Sequence, residues 1–246
     1  MVCSIFVQYE KGGLVMAFLD ELLSEIEPYR QRSIEHPLLR AIESGSLSWD
    51  QLRAFGQYMY HFLIEGELRF SSISVVRSPD RESLRRNADH AYEEIPHIDL
   101  YEDFLRGLEI PDEEIGTVPT EPGIECFTNY FYRLSFSGTQ AEVAAGAGLC
   151  EGMFADISAR VAKGLRERYN LPLQTTRFWD VHAVADEEHL QLHHWRIQHY
   201  TTGPEMEQRV RTAARLGFSY WLMLFDTIAQ QISLSTSEIQ ALNVPQ

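Results

Sequence analysis

Apolar residues recur at intervals of three and four through most of the 246-residue chain, and no run alternates strictly between apolar and polar side chains. That pattern admits amphipathic helices and leaves no half-buried strands, so the expected fold class is all-α, with seven or so helices. Pro, Gly and Ser signals set the expected bounds: Met16 to Ile34, His36 to Glu43, Trp49 to Val76 with Ser48 as cap, and Asp80 to Leu108 interrupted by Pro96. After a loop-like stretch from Pro111 to Gly123 come Ile124 to Phe136, Thr139 to Tyr169 with Thr139 as cap, Thr175 to Tyr200, and Pro204 to about Ser233. The loop connects halves of one bundle, so residues 16–246 form a single domain, and residues 1–15 read as a poorly ordered extension with Met16 as an alternative start.

With 44% apolar residues the chain has enough material for one sizeable core. Its 21 Lys and Arg against 36 Asp and Glu, a net charge of −15, exclude the basic surface that nucleic acid or an anionic membrane requires. Cys3, Cys126 and Cys150 make neither a C-x-x-C pair nor an even set, which fits a reducing cytoplasm. No apolar run is long enough to span a membrane, and Glu10 and Lys11 interrupt the apolar part of the N-terminus, which lacks a signal-peptide plan.

His182, Asp186 and His189 spell H-x-x-x-D-x-x-H inside the segment from Thr175 to Tyr200. At about 100° per residue, positions four and seven apart stack within about 40° on one helix face, so three potential metal ligands converge. Two imidazoles and a carboxylate suit iron, manganese or zinc. The same acidic, His-rich stretch is also compatible with a solvated helix face. Partners would come from facing helices, and two segments offer them: Glu94 and His97 form E-x-x-H beside Pro96, and Glu151 follows the small, apolar run Ala144 to Cys150. A carboxylate at 151 faces burial and needs a cation or a buried Arg; Glu94 and His97, in an acidic stretch, are equally compatible with solvent.

The order E-x-x-H, lone Glu, H-x-x-x-D-x-x-H resembles the haem-oxygenase-like di-iron oxidases and oxygenases over most of the chain. The Glu94, His97 spacing is similar to that of the family's 1-alkene-forming fatty-acid decarboxylase; other members place the first Glu seven residues before the His, where this chain has His90. The resemblance implies a seven-helix haem-oxygenase-like bundle in which Glu94, His97, Glu151, His182, Asp186 and His189 hold two Fe(II) ions that activate O2 as co-substrate. It implies an iron-dependent oxidoreductase acting on a small carboxylate-bearing molecule, an amino acid or fatty acid, by oxidative decarboxylation, C–C cleavage or N-oxygenation. It would need an electron donor that no motif names, and leaves a homodimer open. His90 is an additional candidate ligand.

Cys150 resembles the cysteine nucleophile of the related thiaminase-like helical proteins, although nothing around it in sequence lowers a thiol pKa, and a buried inert thiol is the simpler expectation. His193, on the ligand stripe, is a candidate to support the ligands, with a surface role expected for it, His194 and His199. Phe55, Tyr58, Phe62 and Phe70 read as core that partly lines a pocket, and Arg69, Arg160 and Arg177 are candidate carboxylate anchors. Two alternatives to the oxidase remain: a metal-free thiaminase-like hydrolase and a non-catalytic helical binding protein.

Overall fold

The structure is a computed structural model that describes residues 3–234, excluding the side chains of residues 3–16, 65–68 and 186–188. The described residues contain no strand. They form α1 (Cys3–Ile34), α2 (Pro37–Ser44), α3 (Trp49–Val76), α4 (Arg81–Glu94), α5 (His97–Gly107), α6 (Pro122–Ser137), α7 (Gln140–Val143), α8 (Leu149–Tyr169), α9 (Leu173–Tyr200) and α10 (Pro204–Gln231). The all-α expectation holds, and the ten described helices exceed the seven or so expected: the expected bounds already mark eight segments, two of which are broken. The residues set apart as an N-terminal extension have side chains outside the described set.

Local chemistry explains the bounds. Ser48 accepts from the Gln51 amide while Gln51 reaches back to the Ser48 amide, a reciprocal cap that starts α3. Thr139 and Glu142 do the same for α7. Gly45 ends α2 at φ 75°, a left-handed conformation that side-chain-bearing residues resist.

Both breaks lie close to the candidate ligands. Pro96 lacks an amide hydrogen and would clash with the carbonyl of Tyr92, so α4 stops at Glu94 and α5 starts afresh at His97. The second break has no counterpart among the expected bounds: between α7 and α8, residues Ala144–Gly148 form a π-helical turn. Such a turn carries one residue more than an α-turn and re-aims the side chains beyond it, here Cys150 and Glu151.

α9 is the central strut, packed along α8 and against α5. Its N-terminal half carries Phe178 and Trp179 into an aromatic cluster with Phe55, Tyr101 and Phe104, all with essentially no exposed surface. Centroids lie 6.1 Å apart for Phe55–Trp179, 4.7 Å for Tyr101–Phe178 and 5.7 Å for Phe104–Trp179. Each such burial stabilises by about 1.5–3 kcal/mol, which fixes the rotation of α9. Small residues then bring α10 close: a Cβ at Gly217 would stand 1.9 Å from the Gly146 carbonyl oxygen.

Candidate functional site

The end of α4 delivers Glu94 into the bundle, 5% exposed, where three imidazoles meet its carboxylate. His97 Nδ1 donates to one oxygen at 2.7 Å, and His90 Nε2 and His189 Nδ1 lie 3.1 Å and 3.3 Å from the other. Burial pushes the Glu94 carboxyl up, but hydrogen bonds from His90 and His97 outweigh it and hold the group well below the usual carboxylate range. His182 closes this side. Its Nδ1 donates to the Phe178 carbonyl at 2.9 Å, so in the neutral ring Nε2 carries the acceptor lone pair.

Glu151, in the first turn of α8, forms a second centre. His193 Nε2 lies 2.9 Å from its carboxylate, with His189 at 3.6 Å and His90 at 3.7 Å. Burial pushes Glu151 up, whereas His193, His90 and His189 bring it down to about 2. His193 itself is lowered to about 4, chiefly by burial, and is neutral near pH 7. Three donor sets, His90–Glu151–His193, His90–Glu94–His189 and Glu94–His97–His182, each present atoms within 4.8 Å of one another, a spacing that a cation bridges.

A cavity of roughly 600 Å³, including its open mouth, lies over these groups. Phe62 and Phe70 from α3, Phe131 from α6, Phe154 from α8 and Trp221 from α10 form its walls, and Glu94, Glu151, His182 and Cys150 its polar floor. Phe62 and Phe154 pack on Trp221 at 5.0 Å and 5.6 Å between centroids. Cys150 Sγ donates to the Gly146 carbonyl at 3.7 Å. Burial, with Glu151 adding to it, raises the thiol well above its ordinary value, so it stays protonated at neutral pH.

Of the residues singled out in the sequence, the structure brings together Glu94, His97, Glu151, His182 and His189; the Asp186 side chain lies outside the described residues. His90, an additional candidate there, joins both carboxylates. The surface role expected for His193 is corrected: it is 2% exposed and bonded to Glu151, whereas His199 is exposed. Its position four residues after His189 is the signal that could have found it. Arg196, 1% exposed and bonded to His193, has no signal of that kind in the sequence. The Arg anchors do not line the cavity: Arg160 pairs with Glu35 and Glu43, Arg69 reaches Tyr132, and Arg177 is exposed.

Comparison with known proteins bears on the chemistry. A Haemophilus influenzae protein described only as uncharacterized is 22% identical over 219 residues, 85% of this chain and 99% of the relative. The aminopyrimidine aminohydrolase of Bacillus subtilis is 26% identical over 153 residues, 59% of this chain and 62% of the relative. Among solved structures, a TenA homologue from Pseudomonas syringae superposes with a TM-score of 0.78 at 15% identity, covering 87% of this chain and 93% of that one. A Shewanella denitrificans domain with a haem-oxygenase-like fold gives 0.70 at 16% identity over 93% and 94%, so the haem-oxygenase-like architecture is shown. No described helix is long and apolar enough to cross a membrane.

These findings correct the expected enzyme class. The relative with a stated activity is an aminohydrolase, which overturns the expectation of an iron-dependent oxidoreductase with two Fe(II) ions and O2. The physical reason for the misreading is that carboxylates and imidazoles stacked on helix faces have the same spacing whether they serve a metal or one another. The sequence profile of the TENA/THI-4/PQQC family matches residues 23–226, from α1 to near the end of α10, and the chain belongs to that family.

Proposed function

We propose that this chain is a thiaminase-like hydrolase that displaces an amino group from a small, planar heteroaromatic amine of the aminopyrimidine type, with Cys150 as nucleophile and His182 as its base. The observation that carries the reading is the shared cavity: a thiol and an imidazole whose Nδ1–H is held by the Phe178 carbonyl, so that Nε2 is its basic nitrogen, under aromatic walls suited to a flat ring. The aminohydrolase relative supports the reaction class.

Because the buried thiol holds its proton, attack requires that His182 Nε2 take that proton as sulfur bonds to the carbon bearing the amine. The C–N bond breaks with its electron pair on nitrogen, and the imidazolium returns the proton to nitrogen, so ammonia departs and a thioether remains. Water then attacks the same carbon, the S–C bond breaks with its pair on sulfur, and His182 passes the water proton to sulfur. The balance is R–NH2 plus H2O giving R–OH plus NH3. Glu94 and Glu151, both ionised, stabilise the transient imidazolium in a water-poor site, where such charge counts most.

The test is ammonia release from a panel of aminopyrimidines by the purified chain. Cys150→Ser is expected to lose at least about 10³-fold in kcat, as removal of a nucleophile does, with chelators leaving wild-type turnover unchanged. No ammonia from any member of the panel, or an active Ser variant, overturns the reading. Loss on chelation, restored by one divalent cation, transfers the Glu94, His97 and His182 set to holding a metal.

A further inference from the structure

Behind Glu151, away from the cavity, lies a buried polar chain that the proposed reaction does not use. Arg196 Nη1 lies 3.0 Å from His193 Nδ1, its Nη2 donates to Asn87 Oδ1, and His193 Nε2 lies 2.9 Å from Glu151. Asn87 is itself fixed, donating to the Ser74 carbonyl at 2.9 Å, Ser78 Oγ at 2.8 Å and Gln140 Oε1 at 3.1 Å. Arg196, His193 and Asn87 are all 2% exposed or less.

A guanidinium has donors and no acceptor, so the ring nitrogen facing it must accept. His193 Nδ1 therefore carries no hydrogen, Nε2 carries it, and the N–H points at Glu151. We infer that Arg196 and His193 are positioning residues, a role that rests on the hydrolase reading: the buried arginine selects the Nε2–H tautomer of His193, and that N–H fixes the Glu151 carboxylate toward the cavity. The backbone is shaped for it. A Cβ at Gly148, in the π-turn, would stand 2.0 Å from His193 Cγ, so the imidazole occupies space that only glycine leaves open.

Two measurements test this. Long-range 1H–15N spectra of histidine-labelled protein, with the His193 signals assigned by their loss in His193→Gln, are expected to show the Nε2–H tautomer in wild type and its loss in Arg196→Met. In the ammonia assay Arg196→Met and His193→Phe are expected to lower kcat at least about tenfold with KM changed less than about threefold, while His193→Gln, whose side-chain amide offers a donor to Glu151, exceeds His193→Phe at least tenfold. An Nδ1–H tautomer in wild type, an unchanged tautomer in Arg196→Met, or equal rates for the Gln and Phe variants overturns the inference. Should Arg196→Met not fold, the wild-type tautomer and the Gln–Phe comparison still decide it. A wild type with the expected tautomer and no turnover of any aminopyrimidine sinks the hydrolase reading and leaves the positioning geometry standing.

Discussion

The two carboxylates of the site have nearly the same neighbours and opposite surroundings. Glu94, at the end of a helix stopped by proline, is enclosed and meets His90, His97 and His189. Glu151, just after a π-turn, meets His90, His189 and His193, yet its side chain is 29% exposed, toward the cavity. Both line the cavity, and the difference separates a charge wrapped by the helices it joins from one more open to that cavity. Glu94 joins α4 to α5 and α9, so removing it leaves imidazoles buried around a void. Glu151 can change with less effect on the fold.

The largest expected effect breaks this contrast directly. Glu94→Ala removes one partner from a buried ion network, which costs about 3–5 kcal/mol, a drop in Tm of roughly 10 °C for a chain this size. Thermal unfolding followed by circular dichroism measures it; a Tm within about 3 °C of wild type, the shift that 1 kcal/mol produces, would mean that Glu94, like Glu151, contributes little to holding the helices together. Glu151→Gln, by contrast, is expected to keep Tm within a few degrees and lower kcat for ammonia release about 10²-fold. Equal losses of stability in the two variants would erase the distinction.

A smaller effect separates two glycines of the α8–α9 seam. Gly148→Ala drives a Cβ into the His193 ring, while Gly152→Ala meets only Leu190 methyl groups at 2.8 Å and 3.0 Å. The first is expected to cost about 1–3 kcal/mol, as overpacking does, and to lower kcat because the ring that holds Glu151 is displaced. The second costs less, since a leucine end rotates away. Parallel urea titrations order the pair, and a Gly152→Ala that is the more damaging reverses the account of which contact the seam protects.

The same contrast marks how far the sequence could be read. Pro96 announces its break chemically, without a proton to donate and with a clash at Tyr92, so the end of α4 and the pairing of Glu94 with His97 were legible. The π-turn is not announced. Ala144–Gly148 would continue a helix on local preference alone, and its cause lies in tertiary contacts, Gly146 under Gly217 and Gly148 under His193. Arg196 reads as one more exposed cation until Asn87 of α4 is brought against it. Helical spacing places His182 and His189 correctly but not their chemistry: donor type and order specify that carboxylates and imidazoles meet, and leave undetermined whether they bridge a cation or one another. The Cys150 thiol becomes a candidate nucleophile only when the fold brings it, His182 and the aromatic walls to one cavity.

The smallest expected effect lies at the far end of α4, where Asp80 does at the surface what Glu94 does inside. Its carboxylate accepts from the Glu82 and Ser83 amides at 2.9 Å each and from the Tyr200 hydroxyl at 2.6 Å, tying the start of α4 to the end of α9. The Tyr200 hydrogen bond, with those of Ser83 and Glu82, lowers its pKa to about 2. A carboxyl more acidic in the folded than in the unfolded chain stabilises fully above its unfolded value, about 3.9, and the contribution is lost as pH falls through about 2. Asp80→Ala is therefore expected to lower Tm modestly at neutral pH, and the gap from wild type is expected to narrow steadily as pH falls from about 4 to about 2. A gap independent of pH would mean that Asp80 holds α4 by shape alone, and that only the enclosed carboxylate of this helix contributes through its charge.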